Sequence, residues 1–301
     1  MVLGSALKSL VSDPREGPFE GRFEREPNSA PAVVDPGPAT SKSASVTGMR
    51  IAQIAAAGGA PRYARLDEKI AHIYDGVPWL GGSLTSHLVP WTDADLECPV
   101  RPSKILGIGR NYAAHAKELG NEVPTEPRLF LKPPSSLLAP GRVILLPPES
   151  ARVEHEAELG VVIGKRCKNV RREDALAHVF GYTCVGDITA RDLQKTDVQF
   201  TRAKGFDTFC PVGPWIETEL DPSKLSIRCR VNGEVRQDGV TADMVFDVPT
   251  LIAYASRMMT LEPGDLISTG TPEGVGPLVA GDVLEVEVTG IGVLRERIAA
   301  A

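Results

Sequence analysis

Only five cysteines occur in the 301 residues, and no two of them stand as a CxxC pair. Cys98, Cys167, Cys184, Cys210 and Cys229 are scattered, and an odd number fits no closed disulfide framework. Several sit in apolar runs, so inert buried thiols in a reducing cytoplasm are the expectation. Long apolar stretches are missing too. None approaches the roughly 20 residues of a membrane span, and residues 7–11, broken by Lys8, are too short for a secretory signal core. Basic charge is in deficit: 33 Lys and Arg face 39 Asp and Glu, a formal net charge of −6 and a pI near 5.5. That balance argues against a nucleic-acid partner, which needs clustered Lys and Arg. The one basic run, Lys165, Arg166, Lys168, Arg171 and Arg172, reads as a solvated turn before a helix.

What remains is ordinary globular composition, 42% hydrophobic and 24% charged, with length for one large domain or two modest ones. Residues 1–48 are rich in Pro, Ser and Ala and poor in large apolar side chains, so they read as a disordered tail. Met49 is either the physiological start or the end of a genuine tail. Residues 49–102 read as a small N-terminal module of short strands and turns, with Tyr63, Ile73, Tyr74, Trp79 and Trp91 as apolar inventory and a turn at Gly81–Gly82. Residues 103–301 form the main domain. Strands are expected at 104–109, 129–131, 143–146, 153–163, 182–188, 265–268 and 283–288, and a hairpin turning at Asn232–Gly233. Helices are expected at 111–119, 172–179 and 247–258, the last capped by Asp247 with Pro249 in its first turn. Strands outnumber helices. The fold class is therefore α+β, a mixed, mainly antiparallel β-roll or sandwich with a few short helices.

The sharpest local feature is Glu154-His155-Glu156-Ala157-Glu158-Leu159. Alternate side chains of a strand share a face, so Glu154, Glu156 and Glu158 form a row of negative charge. Stacked like charges cost stability unless something compensates them. A divalent cation does so, and oxygen-only ligation suits Mg²⁺ or Mn²⁺. Zn²⁺ fits less well, because no His or Cys pair stands at ligand spacing. The bland alternative is a charged edge strand facing water. Asp187, after the apolar strand ending in Val185, is either a helix cap or a further ligand.

These residues carry a resemblance. Gly109-Arg110-Asn111-Tyr112-Ala113-Ala114-His115-Ala116-Lys117-Glu118 is similar to the opening motif of the fumarylacetoacetate hydrolase superfamily. So, in the family's order, are Phe130-Leu131-Lys132-Pro133, Glu156-Ala157-Glu158-Leu159, the run Asp187-Ile188-Thr189-Ala190-Arg191-Asp192-Leu193-Gln194, Lys204-Gly205-Phe206-Asp207, and Thr269-Gly270-Thr271-Pro272-Glu273-Gly274-Val275-Gly276. Residues 49–102 also resemble the N-terminal module of many bacterial members. The resemblance implies a β-roll, a homodimer, and metal ligation by Glu156, Glu158 and Asp187. It implies that Lys204 approaches the substrate and that His115 and Glu118 form a dyad on a mobile lid. Tyr112, Lys132, Arg191, Gln194, Gly270 and Thr271 fall where members contact substrate or shape the pocket.

Each residue also has a plainer reading. His115 and Glu118 lie at i and i+3 and form an ordinary helix pair. Lys204 is a solvated lysine, Arg191 a partner of Asp187 or Asp192, and Thr269 to Gly276 a Gly-rich turn without the Lys-Ser/Thr of a phosphate loop. His155 points away from the metal face and reads as structural. His72, His87 and His178 have no telling acidic partners.

The chemistry implied is that of a 2-oxo acid held on Mg²⁺, whose enolate the metal stabilises when a bond at C3 breaks. Three reactions share this intermediate: acylpyruvate hydrolysis, oxaloacetate decarboxylation, and isomerisation or tautomerisation of a diacid of the 2-hydroxyhepta-2,4-diene-1,7-dioate or 5-carboxymethyl-2-hydroxymuconate type, as in aromatic catabolism. The His115–Glu118 pair favours hydrolysis, since it can activate water. A rival from another class is an inactive member that binds an organic acid. The expected partner is a small molecule, not a nucleic acid or a membrane.

Overall fold

The computed structural model describes residues 48–56 and 59–301. The expected tail, residues 1–48, lies outside the described residues except for Gly48. The backbone forms one sheet of twelve strands, one of five and one of three, with few and short helices. Pairing is antiparallel save for three parallel pairs: Leu266–Ser268 with Ile105–Gly109, Gly292–Ala300 with Val143–Leu146, and Cys210–Glu217 with Leu137–Leu138. This is the mainly antiparallel α+β architecture expected from the strand-rich pattern. Among the described residues, no helix is long and apolar enough to cross a membrane.

The large sheet begins in the N-terminal strands Leu84–Pro90, Ile70–Tyr74, Gly59–Leu66 and Arg50–Ala56. It continues through Cys210–Glu217, Val179–Gly186, Ala157–Ile163, Leu266–Ser268, Ile105–Gly109 and Arg128–Lys132. Hydrogen bonding therefore passes without a gap from the N-terminal module into the main domain, at the pair Ile51 and Ile216. Ala157–Ile163 is buried on both faces. Leu159, Val161 and Ile163 pack with Ile227, Cys229, Leu284, Val286 and Val288 of the five-stranded sheet, whose strands alternate inward and outward. Val162, on the other face, packs with Ile51, Ile105, Val185 and Ile216. A strand covered on both sides reads as a continuous apolar run, which is why the residues after Glu158 are apolar.

Local signals hold where they are strong. Asn232 and Gly233 have φ of 54° and 81°, the double positive turn that joins Ser226–Val231 to Glu234–Val240. Asp247 caps the helix Val248–Met258 by accepting from the Thr250 N–H at 3.0 Å. Two expectations need correction. The helix expected at 111–119 covers only Ala113–Glu118, because Asn111 is clamped by its side chain and Tyr112 bridges to Met244. The strand expected at 153–163 breaks at Glu156. Val153–His155 pairs with Thr189–Ala190 and Gly276–Pro277 in the three-stranded sheet, while Ala157–Ile163 belongs to the large one. At the break, the Glu156 carbonyl accepts from the Asp187 N–H at 2.9 Å, which brings the two acids together.

Candidate metal centre and active site

Ligand oxygens of Glu156, Glu158 and Asp187 lie within 4.8 Å of one another, and all three side chains are buried. Each acid reaches this point by a different route. Glu156 sits at the strand break, Glu158 one turn of the pleat further on, and Asp187 beyond the end of Val179–Gly186. Three buried cations surround them. Lys204 donates to Glu156 Oε2 at 2.9 Å, to Asp187 Oδ2 and to Thr189 Oγ1. Lys132 donates to the other Asp187 oxygen and to the Phe209 carbonyl. Arg191 bridges Glu154 and Glu156 and also reaches Gln194. Glu154 is therefore an ion-pair partner of Arg191 and Arg152, which agrees with leaving it out of the ligand set.

The electrostatics of the trio are unequal. Burial works against ionisation of Glu156, but Lys204, Arg191 and His115 outweigh it and hold the carboxyl well below the usual range. Among the described residues no Lys or Arg forms an ion pair with Glu158. Its Oε2 accepts from Ser268 Oγ and from the Gly270 N–H at 2.8 Å, and burial together with the Asp187 and Glu156 charges pushes the carboxyl up to about 8. A buried acid that holds its proton this tightly marks a cluster short of positive charge. An all-oxygen set with that deficit fits a hard divalent cation, so Glu156, Glu158 and Asp187 could hold one. Nothing in the donor set distinguishes Mg²⁺ from Mn²⁺.

A cavity of about 440 Å³ opens over Glu156 and Glu158, with Asp187 behind its lining. Glu156, Glu158, Arg191, Gln194, Lys204 and Thr271 form its floor and one side, and His115 and Glu118 are on its lining as well. His115 is buried, and its Nδ1 lies 3.3 Å from Glu118 Oε2. Glu118 also accepts from the Gly274 N–H at 3.0 Å, which ties the short helix to the Thr269–Gly276 loop. Gly274 has φ 95°, and a Cβ there would fall 2.0 Å from the Arg236 carbonyl oxygen, so only glycine lets this loop close on Glu118. The helix Ala113–Glu118 is thus tied to that loop through Glu118.

Three expected pocket residues lie behind the wall. Tyr112 does not line the cavity. It is packed in the hydrophobic core, its hydroxyl has no partner among the described residues, and burial and the Glu158 charge raise its pKa. Lys132 is buried under Asp187, where it acts on the acid rather than on anything in the cavity. Gly270 offers its N–H to Glu158 from outside the cavity lining. His155, read as structural, packs against Gln237 and Cys229. The sequence reading also missed pocket residues: Arg110, Lys195 and Phe200. Arg110 stood inside the Gly109–Glu118 motif, but nothing local marked its side chain. Ser268, 110 positions from Glu158, carried no signal at all.

Comparison with known proteins agrees with this geometry. Residues 104–299 match the fumarylacetoacetate (FAA) hydrolase C-terminal family, and residues 49–99 match the Rv2993c-like N-terminal family. The chain is 48% identical over 195 residues to the mitochondrial oxaloacetate decarboxylase of Dictyostelium discoideum, covering 62% of this chain and 89% of that protein. It is 45% identical over 221 residues to the mitochondrial oxaloacetate tautomerase of Xenopus laevis, covering 69% of each. The crystal structure of a 5-carboxymethyl-2-hydroxymuconate delta-isomerase from Mycobacterium smegmatis superposes with a TM-score of 0.78 at 40% identity, over 84% of this chain and 100% of that one. With a matched family domain over most of its length, the chain belongs to the fumarylacetoacetate hydrolase family.

Proposed function

We propose that this chain is a divalent-metal enzyme that moves a proton at C3 of a small 2-oxo acid, with oxaloacetate-type keto–enol tautomerisation as its reaction. The observation that carries the reading is the buried His115, oriented by Glu118 and sharing one cavity with Glu156 and Glu158, whose oxygens cluster with those of Asp187. Nδ1 faces Glu118, so Nε2 is the nitrogen left to take the substrate proton. In the forward direction His115 removes the C3 proton, the electron pair of that bond forms the C2–C3 double bond as the carbonyl π pair moves to the 2-oxygen, which takes a proton from solvent while His115 releases its own to solvent. In the reverse direction His115 returns a proton to C3. A divalent ion held by Glu156, Glu158 and Asp187 would stabilise negative charge on the 2-oxo oxygen as a Lewis acid. Lys204 and Arg191 fix Glu156, and Lys204 and Lys132 fix Asp187, so the ligand oxygens stay in place while charge shifts above them.

The sequence alone favoured hydrolysis of an acylpyruvate. The two relatives named for oxaloacetate chemistry move the weight to proton transfer and decarboxylation, which need no attacking water. Decarboxylation is the second reading, since loss of CO₂ from C3 leaves the same enolate. The test is the full chain with Mg²⁺ and oxaloacetate, following enol decay by absorbance, C3 deuterium exchange by NMR, and pyruvate release. Faster tautomerisation and exchange are expected, and both should be lost in His115→Ala with Mg²⁺ still bound. Cleavage of acylpyruvates without any effect on C3 exchange would return the reading to hydrolysis. Assembly as a homodimer, implied by the family resemblance, is checked by sedimentation.

A further inference from the structure

Four basic side chains line the cavity: Arg110, Arg191, Lys195 and Lys204. Two of them are already matched. Arg191 directs its nitrogens to Glu154, Glu156 and Gln194, and Lys204 directs its ammonium to Glu156, Asp187 and Thr189. The fork of Arg191, a residue the family resemblance set at the substrate pocket, is occupied by the protein's own acids. Arg110 and Lys195 have no acidic partner among the described residues, and Lys195 is exposed while Arg110 is half-buried.

Two further facts concern Arg110. Arg128 sits beside it, on the residue paired with Gly109, and has no acidic partner among the described residues either. Partial burial and the Arg128 charge both pull the Arg110 pKa down. The Arg110 backbone is also left-handed, with φ 61°, a conformation costly for any side chain but Asn, Asp or Gly. The next residue holds it there. The Asn111 carboxamide donates to the Thr269 carbonyl at 2.7 Å and to the Phe246 carbonyl at 3.0 Å, and accepts from the Phe246 N–H at 2.9 Å. Strain maintained at a cavity wall points to a side chain with a task there.

We propose that Arg110, supported by Arg128 and Lys195, binds the second carboxylate of a dicarboxylic 2-oxo acid and so makes the enzyme select diacids over monoacids. This rests on the reading above, in which the 2-oxo end of the substrate lies at the Glu156–Glu158–Asp187 cluster. A planar guanidinium accepts a carboxylate through two parallel hydrogen bonds, and a half-buried site strengthens them. The cavity volume of about 440 Å³ leaves room for a chain of several carbons between the two ends.

The test compares the full chain, loaded with Mg²⁺, with Arg110→Asn and Arg110→Lys. Asn tolerates the left-handed backbone, and Lys keeps charge without the fork. Rates of C3 proton exchange are measured for oxaloacetate, for its 4-monomethyl ester and for pyruvate, and oxalate binding is measured by calorimetry. Wild type should prefer the diacid over the ester by roughly 10- to 100-fold, the usual worth of charged hydrogen bonds. Arg110→Asn should erase that preference and leave oxalate affinity unchanged, with Arg110→Lys in between. Equal rates for diacid and ester in the wild type would overturn the proposal whether or not the variants fold. An undiminished preference in Arg110→Asn would overturn it too. A wild type that binds oxalate but exchanges no C3 proton would instead sink the reading of the reaction, and the Arg110 proposal with it.

Discussion

Around the cavity, Glu154, Glu156, Glu158 and Asp187 are buried among Arg191, Lys132 and Lys204, with Arg152 reaching Glu154 from the solvent side. In the strand Gly292–Ala300, Glu296 is buried as deeply, at 1% exposure, yet neither of its oxygens has a hydrogen-bond partner among the described residues. Burial lifts its carboxyl to about 9, with only partial relief from Arg142. The contrast separates two ways of placing an acid in a core. A lone carboxyl keeps its proton and enters as a neutral group. A cluster stays charged only where cations are brought in from other elements, as with Lys204 from the helix Thr201–Lys204 and Lys132 from the strand Arg128–Lys132. The cluster has four acids for three buried cations, and the shortfall appears at Glu158.

The widest break in that comparison should come from Asp187. Asp187→Ala leaves both Lys132 and Lys204 without their shared partner, and an unpaired buried charge costs about 3–5 kcal/mol. Calorimetry should show no Mg²⁺ binding, and chemical denaturation should show the loss of stability. Unchanged Mg²⁺ binding would remove Asp187 from the ligand set. Next in size, His115→Ala should lower C3 proton transfer by about 10²–10⁴-fold, the range for a positioned base. It should not touch Mg²⁺ affinity, because His115 is no part of the trio; a parallel loss of both would make the dyad part of the metal site. Glu118→Gln should act in the same direction but more mildly, since Glu118 orients the ring.

Glu296 gives the control from the other side. Its folded pKa, about 9, lies above the ordinary 4.5, so the folded state keeps a proton that the unfolded chain has released. Its contribution is therefore full at low pH and is lost as pH rises towards 9, at up to ~1.4 kcal/mol per pH unit. Glu296→Gln should flatten that slope and be the more stable protein in alkali, while the rate of proton transfer stays the same. Stability curves of the two proteins that run parallel from pH 5 to 9 would show that Glu296 is ionised and paired. The smallest effect is expected for a chain starting at Met49, which should keep both activity and melting temperature. A drop in either would mean that residues 1–48 contribute to the folded body.

The sequence by itself determined the features that depend on neighbours in the chain. The alternation of acids marked Glu156 and Glu158 as neighbours in space, Asn232–Gly233 specified a hairpin, and Asp247 with Pro249 specified a helix start. Tertiary structure decided what no local pattern encodes. Period two also turns Glu296 inward between Leu294 and Ile298, but only packing shows that its oxygens find no hydrogen-bond partner among the described residues, Arg142 offering partial relief alone. The break at Glu156 lets one chain segment serve two sheets, and so brings Asp187 onto the Glu row. Whether Asp187 was a cap or part of a cluster depended on Lys132 and Lys204, 55 and 17 positions away. Whether Arg191 or Arg110 is left to meet a ligand depended on which of them the protein's own acids reach first. Those outcomes rest on long-range charge pairing in a low-dielectric interior, where a partner's position in space counts and its place in the sequence does not.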